Sequence, residues 1–177
     1  MKSLPTFITQ EEFEKLFSSV NKQKYISKKN KQQYKLAMLL GFEAGMRISE
    51  ILGLDDKIIH LTPAQVRDSS ILILSGKGRK DRVVPRPKRM NKNAIAMLPL
   101  TIQRRALQHF IKKLGKDVLD KDIHFHTLRH SFCTHLVNKG RPLHEVQMLA
   151  GHSRLDTTGL YLHANPKGAV DGAREVF

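Results

Sequence analysis

The chain has 177 residues, with 31 Lys+Arg against 16 Asp+Glu, a net charge of +15, one Cys and no Trp. A sequence pI near 10.2 points to a polyanionic partner, nucleic acid first and an acidic membrane surface second. One cysteine excludes an intrachain disulfide or a cysteine-rich zinc site, and nothing approaches the ~18 consecutive apolar residues of a membrane span.

The start, Met1-Lys2-Ser3-Leu4-Pro5, lacks the apolar stretch of a signal peptide. The expectation is a soluble, reduced, cytoplasmic basic domain without a membrane partner. Thr9 with Glu12 has capping-box spacing, and Phe13, Leu16, Phe17 and Val20 follow at helical steps, so a helix begins near residue 10. Residues 22–35 hold six lysines and no acid and read as a solvated loop or helix start; Tyr34 to Phe42 reads as a largely buried helix. Met46 to Leu52 opens another, with Ile48, Ile51 and Leu52 on one face.

Ile71 to Leu74 and Arg82 to Pro85 flank a glycine-containing turn and read as a β-hairpin. Eight basic residues and one acid lie between Lys77 and Lys92. Thr101 is placed to cap a helix burying Leu107, Phe110, Ile111 and Leu114. His126 to Lys139 forms the next helix, with Gly140 as its stop. Leu143 to Ala150 forms one more, and Asp156 to His163 a short one. The fold class expected is mainly α with a small antiparallel β-sheet, as one domain over residues 1–177.

Three segments stand out from an ordinary core: Gly45-Met46-Arg47-Ile48-Ser49-Glu50, His126-Thr127-Leu128-Arg129-His130, and Gly151-His152 with Tyr161 nine residues on. His126 and Arg129 share a helix face at i, i+3. Arginine grips phosphate through a planar fork that keeps its charge, so Arg47, Arg129 and the histidines suit a cradle for one phosphodiester. The i, i+4 pair His126 and His130 lacks a third ligand and the glutamate of H-E-x-x-H, so zinc is not expected. Cys133 reads as a small core residue, and His135 and His144 as structural or exposed.

Together, in this order, the segments resemble the tyrosine recombinase family of phage integrases and Xer recombinases, over nearly the whole chain. The resemblance implies a catalytic domain of the fold shared with type IB topoisomerases, with Arg47, Lys77, His126, Arg129, His152 and the nucleophile Tyr161 as catalytic residues. It implies that Tyr161 attacks a DNA phosphodiester and forms a 3′-phosphotyrosyl bond, which conserves the bond energy for religation. Arg47, Arg129 and His152 stabilise the charge that builds on the phosphate, Lys77 protonates the leaving 5′-oxygen, and His126 accepts the tyrosine proton. Glu50 and His130 support the site. No metal, ATP or other cofactor is implied. Double-stranded DNA is the expected partner, contacted by Lys28, Lys29, Lys31, Arg79, Lys80, Arg82, Lys88 and Arg89, with binding that weakens steeply in salt.

The family usually carries a separate N-terminal core-binding domain, which this chain is expected to lack. Tetramer formation on DNA belongs to the full-length protein, with Val170, Val176 and Phe177 as a weak candidate plug. A location at the nucleoid follows from the same resemblance. Two alternatives share the fold: a type IB topoisomerase that relaxes supercoils, and a non-catalytic DNA-binding domain.

Overall fold

A computed structural model of the chain describes residues 6–54, 59–74 and 81–151. Helix α1 (Gln10–Ser19) starts at the expected capping box: Thr9 Oγ1 accepts from the Glu12 amide at 3.2 Å, and Glu12 Oε2 accepts from the Thr9 amide at 2.9 Å. Helix α2 (Lys28–Glu43) begins inside the lysine-rich stretch because Ser27 Oγ accepts from the Asn30 amide. Helix α3 (Ile48–Leu52) is one short turn and a half. Strands β1 (Ser70–Ile73) and β2 (Arg82–Pro85) pair antiparallel, Ile73 opposite Arg82. Then come α4 (Lys92–Ala96), α5 (Arg104–Leu119), α6 (Phe125–Asn138) and α7 (Leu143–Ala150). This is the mainly helical fold with one small antiparallel sheet that the sequence implies.

One apolar core joins most of these elements. Phe13 of α1 stacks on Phe42 of α2 with ring centroids 4.0 Å apart, and Tyr34 of α2 stacks on Phe110 of α5 at 4.5 Å. Helices α2 and α6 approach closely because Gly41 carries no side chain: a Cβ there would lie 3.0 Å from the Phe125 ring. A second, smaller cluster of Phe132, Cys133, Val146 and Ala150 fastens α7 onto α6. The extended segment before α1 is stapled to α6 by two bonds at Ile8: its amide donates to Ser131 Oγ at 2.9 Å, and its carbonyl lies 3.0 Å from His135 Nε2. His135 is therefore structural, and Cys133 is a fully buried core residue.

Two local expectations change. Thr101 does not cap α5, whose cap position is Gln103. The Thr101 amide instead donates to buried Gln33 Oε1 at 2.7 Å, and Gln33 Nε2 donates to Thr101 Oγ1, because a buried amide side chain needs partners at both ends. Helix α4 is new. Asn91 Oδ1 accepts from the Ala94 amide and starts a helical turn at the end of the basic stretch that runs to Lys92, where the sequence suggests no element. No helix among the described residues is long and apolar enough to cross a membrane.

Candidate active site

The site is built where α3, β2, α6 and the end of α7 meet. The chain enters α3 through Gly45, in a left-handed conformation at φ 63°, with its Cα against the Phe132 ring. That turn sets Arg47 at the cap position of α3. Glu50, one turn on, accepts from the Arg47 amide at 2.6 Å and from Arg47 Nη1 at 2.9 Å. Arg82 reaches in from β2 and donates to both oxygens of the same carboxylate, at 2.6 and 2.8 Å. Glu50 thus receives four donors while only 6% exposed. Burial by itself would raise its pKa; the hydrogen bonds and charge of Arg82, followed by the Arg47 amide and charge, outweigh it and hold the carboxyl at about 2.

Arg129 on α6 is 1% exposed. Its two terminal nitrogens donate to the carbonyls of Gly45 and Ala150. Burial first, and the nearby Arg47 charge next, pull its pKa down to about 10, so it stays cationic at neutral pH. The end of α7 is held by three guanidinium groups in succession. Arg82 Nε donates to the Leu149 carbonyl at 2.9 Å, Arg129 to that of Ala150, and Arg47 Nη2 to that of Gly151 at 3.0 Å. These are the carbonyls a helix leaves unpaired at its C-terminus, where the helix dipole is negative. A guanidinium carries five N–H donors, and the contacts described take two from each of Arg47 and Arg129.

Arg47, His126 and Arg129 line one cleft of about 500 Å³, together with residues of α5. His126 lies at its exposed rim. Partial desolvation, then the charges of Arg129 and Arg47, hold its pKa below the ordinary histidine value. Its ring meets His130 edge to face at 4.3 Å between centroids. His130 is held at about 4 by burial first, then by His126 and Arg129. Both imidazoles are therefore neutral near pH 7, the state in which a histidine accepts a proton. Among the described residues no three metal-ligating side chains cluster.

The structure thus brings together Arg47, Glu50, His126, Arg129 and His130. Lys77, Arg79, Lys80, His152 and Tyr161 lie outside the described residues. Lys28, Lys29 and Lys88 are exposed, and Lys31 donates to the Asn21 carbonyl at 2.9 Å. Two of the expected DNA contacts are placed differently. Arg82 is 8% exposed and committed to Glu50, because its strand position faces α3 rather than solvent. Arg89 pairs with Glu14 at 2.9 Å and with Glu43, and lies over the Phe17 ring at 4.7 Å, tying α1 to α2. The sequence reading passed over Arg104, Gln108 and Lys112, which line the same cleft; their i, i+4, i+8 spacing was the available signal.

A family model described as "Phage integrase family" matches residues 6–167. A protein named tyrosine recombinase from Thermosipho africanus is 32% identical over 193 residues, covering 99% of this chain and 63% of that protein. A protein named tyrosine recombinase XerD from Halalkalibacterium halodurans is 34% identical over 184 residues, covering 92% and 58%. The chain therefore spans about three fifths of the length of these relatives. Among solved structures, a XerH site-specific recombinase in a post-cleavage complex with its difH substrate aligns with a TM-score of 0.72 at 25% identity, over 97% of this chain and 53% of that one. The catalytic domain of bacteriophage HP1 integrase aligns in fold, with a TM-score of 0.64 at 20% identity, over 96% and 94%.

Proposed function

From its membership of the phage integrase family, to which this chain belongs, we infer that it is the catalytic domain of a site-specific recombinase that cuts and rejoins DNA through a phosphotyrosyl bond. The observation that carries this reading is the convergence of Arg47 and Arg129, 82 positions apart in sequence, on one cleft beside Ala150 and Gly151. Two fixed cations in a partly desolvated cleft stabilise charge developing on a phosphate without reorganising.

In this reading the Tyr161 oxygen attacks phosphorus and the 5′-oxygen leaves. The bond broken is P–O5′, and the bond formed is the tyrosyl ester at the 3′-phosphate. Neutral His126 takes the phenol proton, and Lys77 gives one to the departing oxygen. Glu50 acts on Arg47, fixing its backbone and one terminal nitrogen, and His130 packs against His126. Double-stranded DNA is the substrate. Four copies on DNA form the working assembly of the longer protein, and the nucleoid is its location.

The test is a suicide duplex whose nick traps the covalent product. The chain should form an adduct that survives denaturing electrophoresis, and Tyr161→Phe should form none while still binding DNA. An adduct persisting in that variant would falsify the nucleophile assignment. A parent chain that binds DNA but never forms the adduct would favour a non-catalytic DNA-binding domain. Efficient relaxation of supercoiled DNA without a specific site would favour the topoisomerase reading.

A further inference from the structure

The cleft continues past the paired arginines onto α5. Arg104, Gln108 and Lys112 stand four residues apart on that helix, all exposed, and all line the cleft that holds Arg47 and Arg129. The opposite face of α5 buries Leu107, Phe110, Ile111 and Leu114, so the core fixes this row relative to the site. The described lining contains four cations, three imidazoles and no carboxylate. Glu50 behind Arg47 is taken up by Arg47 and Arg82; the acid near the α5 edge is Asp122, 3.6 Å from Lys112 Nζ and 3.6 Å from His124 Nε2, with all three side chains more than half exposed. Ion pairs of that kind contribute little, and a phosphate can replace the carboxylate.

From Arg104 to Lys112 the row rises eight residue steps, about 12 Å at about 1.5 Å per residue. That matches the axial length of about three nucleotides at about 3.4 Å each on one strand. Lysine and arginine on a rigid helix, at that pitch and beside a phosphate cradle, suit a nucleic-acid backbone better than a compact anion.

We propose that Arg104 and Lys112, with Gln108 between them, form a ledge that binds phosphates of the DNA strand next to the one gripped by Arg47 and Arg129. The proposal rests on reading the cleft as a DNA-cleaving site, and the experiment separates the two. Duplex binding by the full chain is measured by fluorescence anisotropy across a salt series, with helical content checked by circular dichroism. The variants are Arg104→Ala, the double variant Arg104→Ala/Lys112→Ala, and Lys113→Ala. Lys113 is adjacent on α5 but lies over the Tyr25 ring at 4.6 Å.

Each lost phosphate contact should reduce the slope of log affinity against log salt by about 0.9, so the double variant should lose about 1.8. Lys113→Ala should keep the parental slope. A double variant with the parental slope, or an equal loss in Lys113→Ala, overturns the ledge. A chain that does not bind duplex DNA overturns ledge and recombinase reading together. A chain that shows these slopes but forms no adduct on the suicide duplex overturns only the recombinase reading.

Discussion

Arg82→Met tests whether Arg82 holds the site or holds DNA. The substitution keeps most of the side-chain bulk. It deletes two charge-assisted hydrogen bonds to Glu50 and one to the Leu149 carbonyl. Glu50 would remain buried with only the Arg47 amide and one Arg47 nitrogen as partners. Removing one member of a buried ion pair costs about 3–5 kcal/mol, because the other charge stays desolvated. Taking 3 kcal/mol as the lower figure, the melting midpoint should fall by about 6–12 °C at about 2–4 °C per kcal/mol for a chain of this size.

Neutralising the orphaned acid should restore part of the loss. In a double-mutant cycle with Glu50→Gln, the coupling should be about 2 kcal/mol. The measurements are thermal and urea unfolding of the four proteins. DNA binding is followed in parallel, and the salt slope of Arg82→Met should stay parental. A loss below about 1 kcal/mol with no coupling would refute the ion-pair argument, and a slope reduced by about 0.9 would return Arg82 to the DNA interface.

Other substitutions follow from the same geometry. Arg129→Lys removes the donors to the Gly45 and Ala150 carbonyls and the planar fork; adduct formation should slow by at least about 100-fold with only a few-fold change in DNA affinity, and a rate within threefold of the parent, read by quenched time courses, argues against its phosphate role. Gly45→Ala places a Cβ 2.4 Å from the Phe132 ring at φ 63° and should cost at least about 2 kcal/mol in urea unfolding; an unchanged midpoint would mean the turn relaxes freely. Stability should also decline with acid in two stages. The folded chain holds His130 at about 4 against 6.5 for the free side chain, so the unfolded chain binds the extra proton and stability drops as pH falls between those values. Glu50, at about 2 against 4.5, continues the loss below pH 4.5 by the same sign. His130→Leu should flatten the upper stage in denaturation curves at pH 7, 5.5 and 4.5; an identical decline in that variant would assign it to another group.

What the sequence revealed depended on how local each signal was. The Thr9–Glu12 box, the two short runs flanking a glycine-containing turn and the apolar stripe of α5 are carried by residues close together in sequence, and these elements appear where expected. The lysine-rich composition of residues 22–35 leaves a loop and a helix start both open there, and α4 is too short for an apolar periodicity; each begins at a single capping side chain, Ser27 and Asn91. The role of Arg82 was not legible at all. Its partner lies 32 positions upstream, and a basic residue after a basic turn looks like a hand extended to DNA. The polar row on α5 carries no motif of its own and lies opposite the buried stripe. Short motifs single out Arg47, His126 and Arg129, and only the folded chain puts them around one cleft.

The arginine clasp uses only the main-chain oxygens of residues 149–151. No side-chain replacement at Leu149 or Ala150 can delete an acceptor, so what constrains Ala150 is its packing against Phe132, Cys133 and Val146 rather than the clasp itself. Gly151 is more constrained, since its backbone is left-handed and a Cβ would touch Arg82 at 2.8 Å.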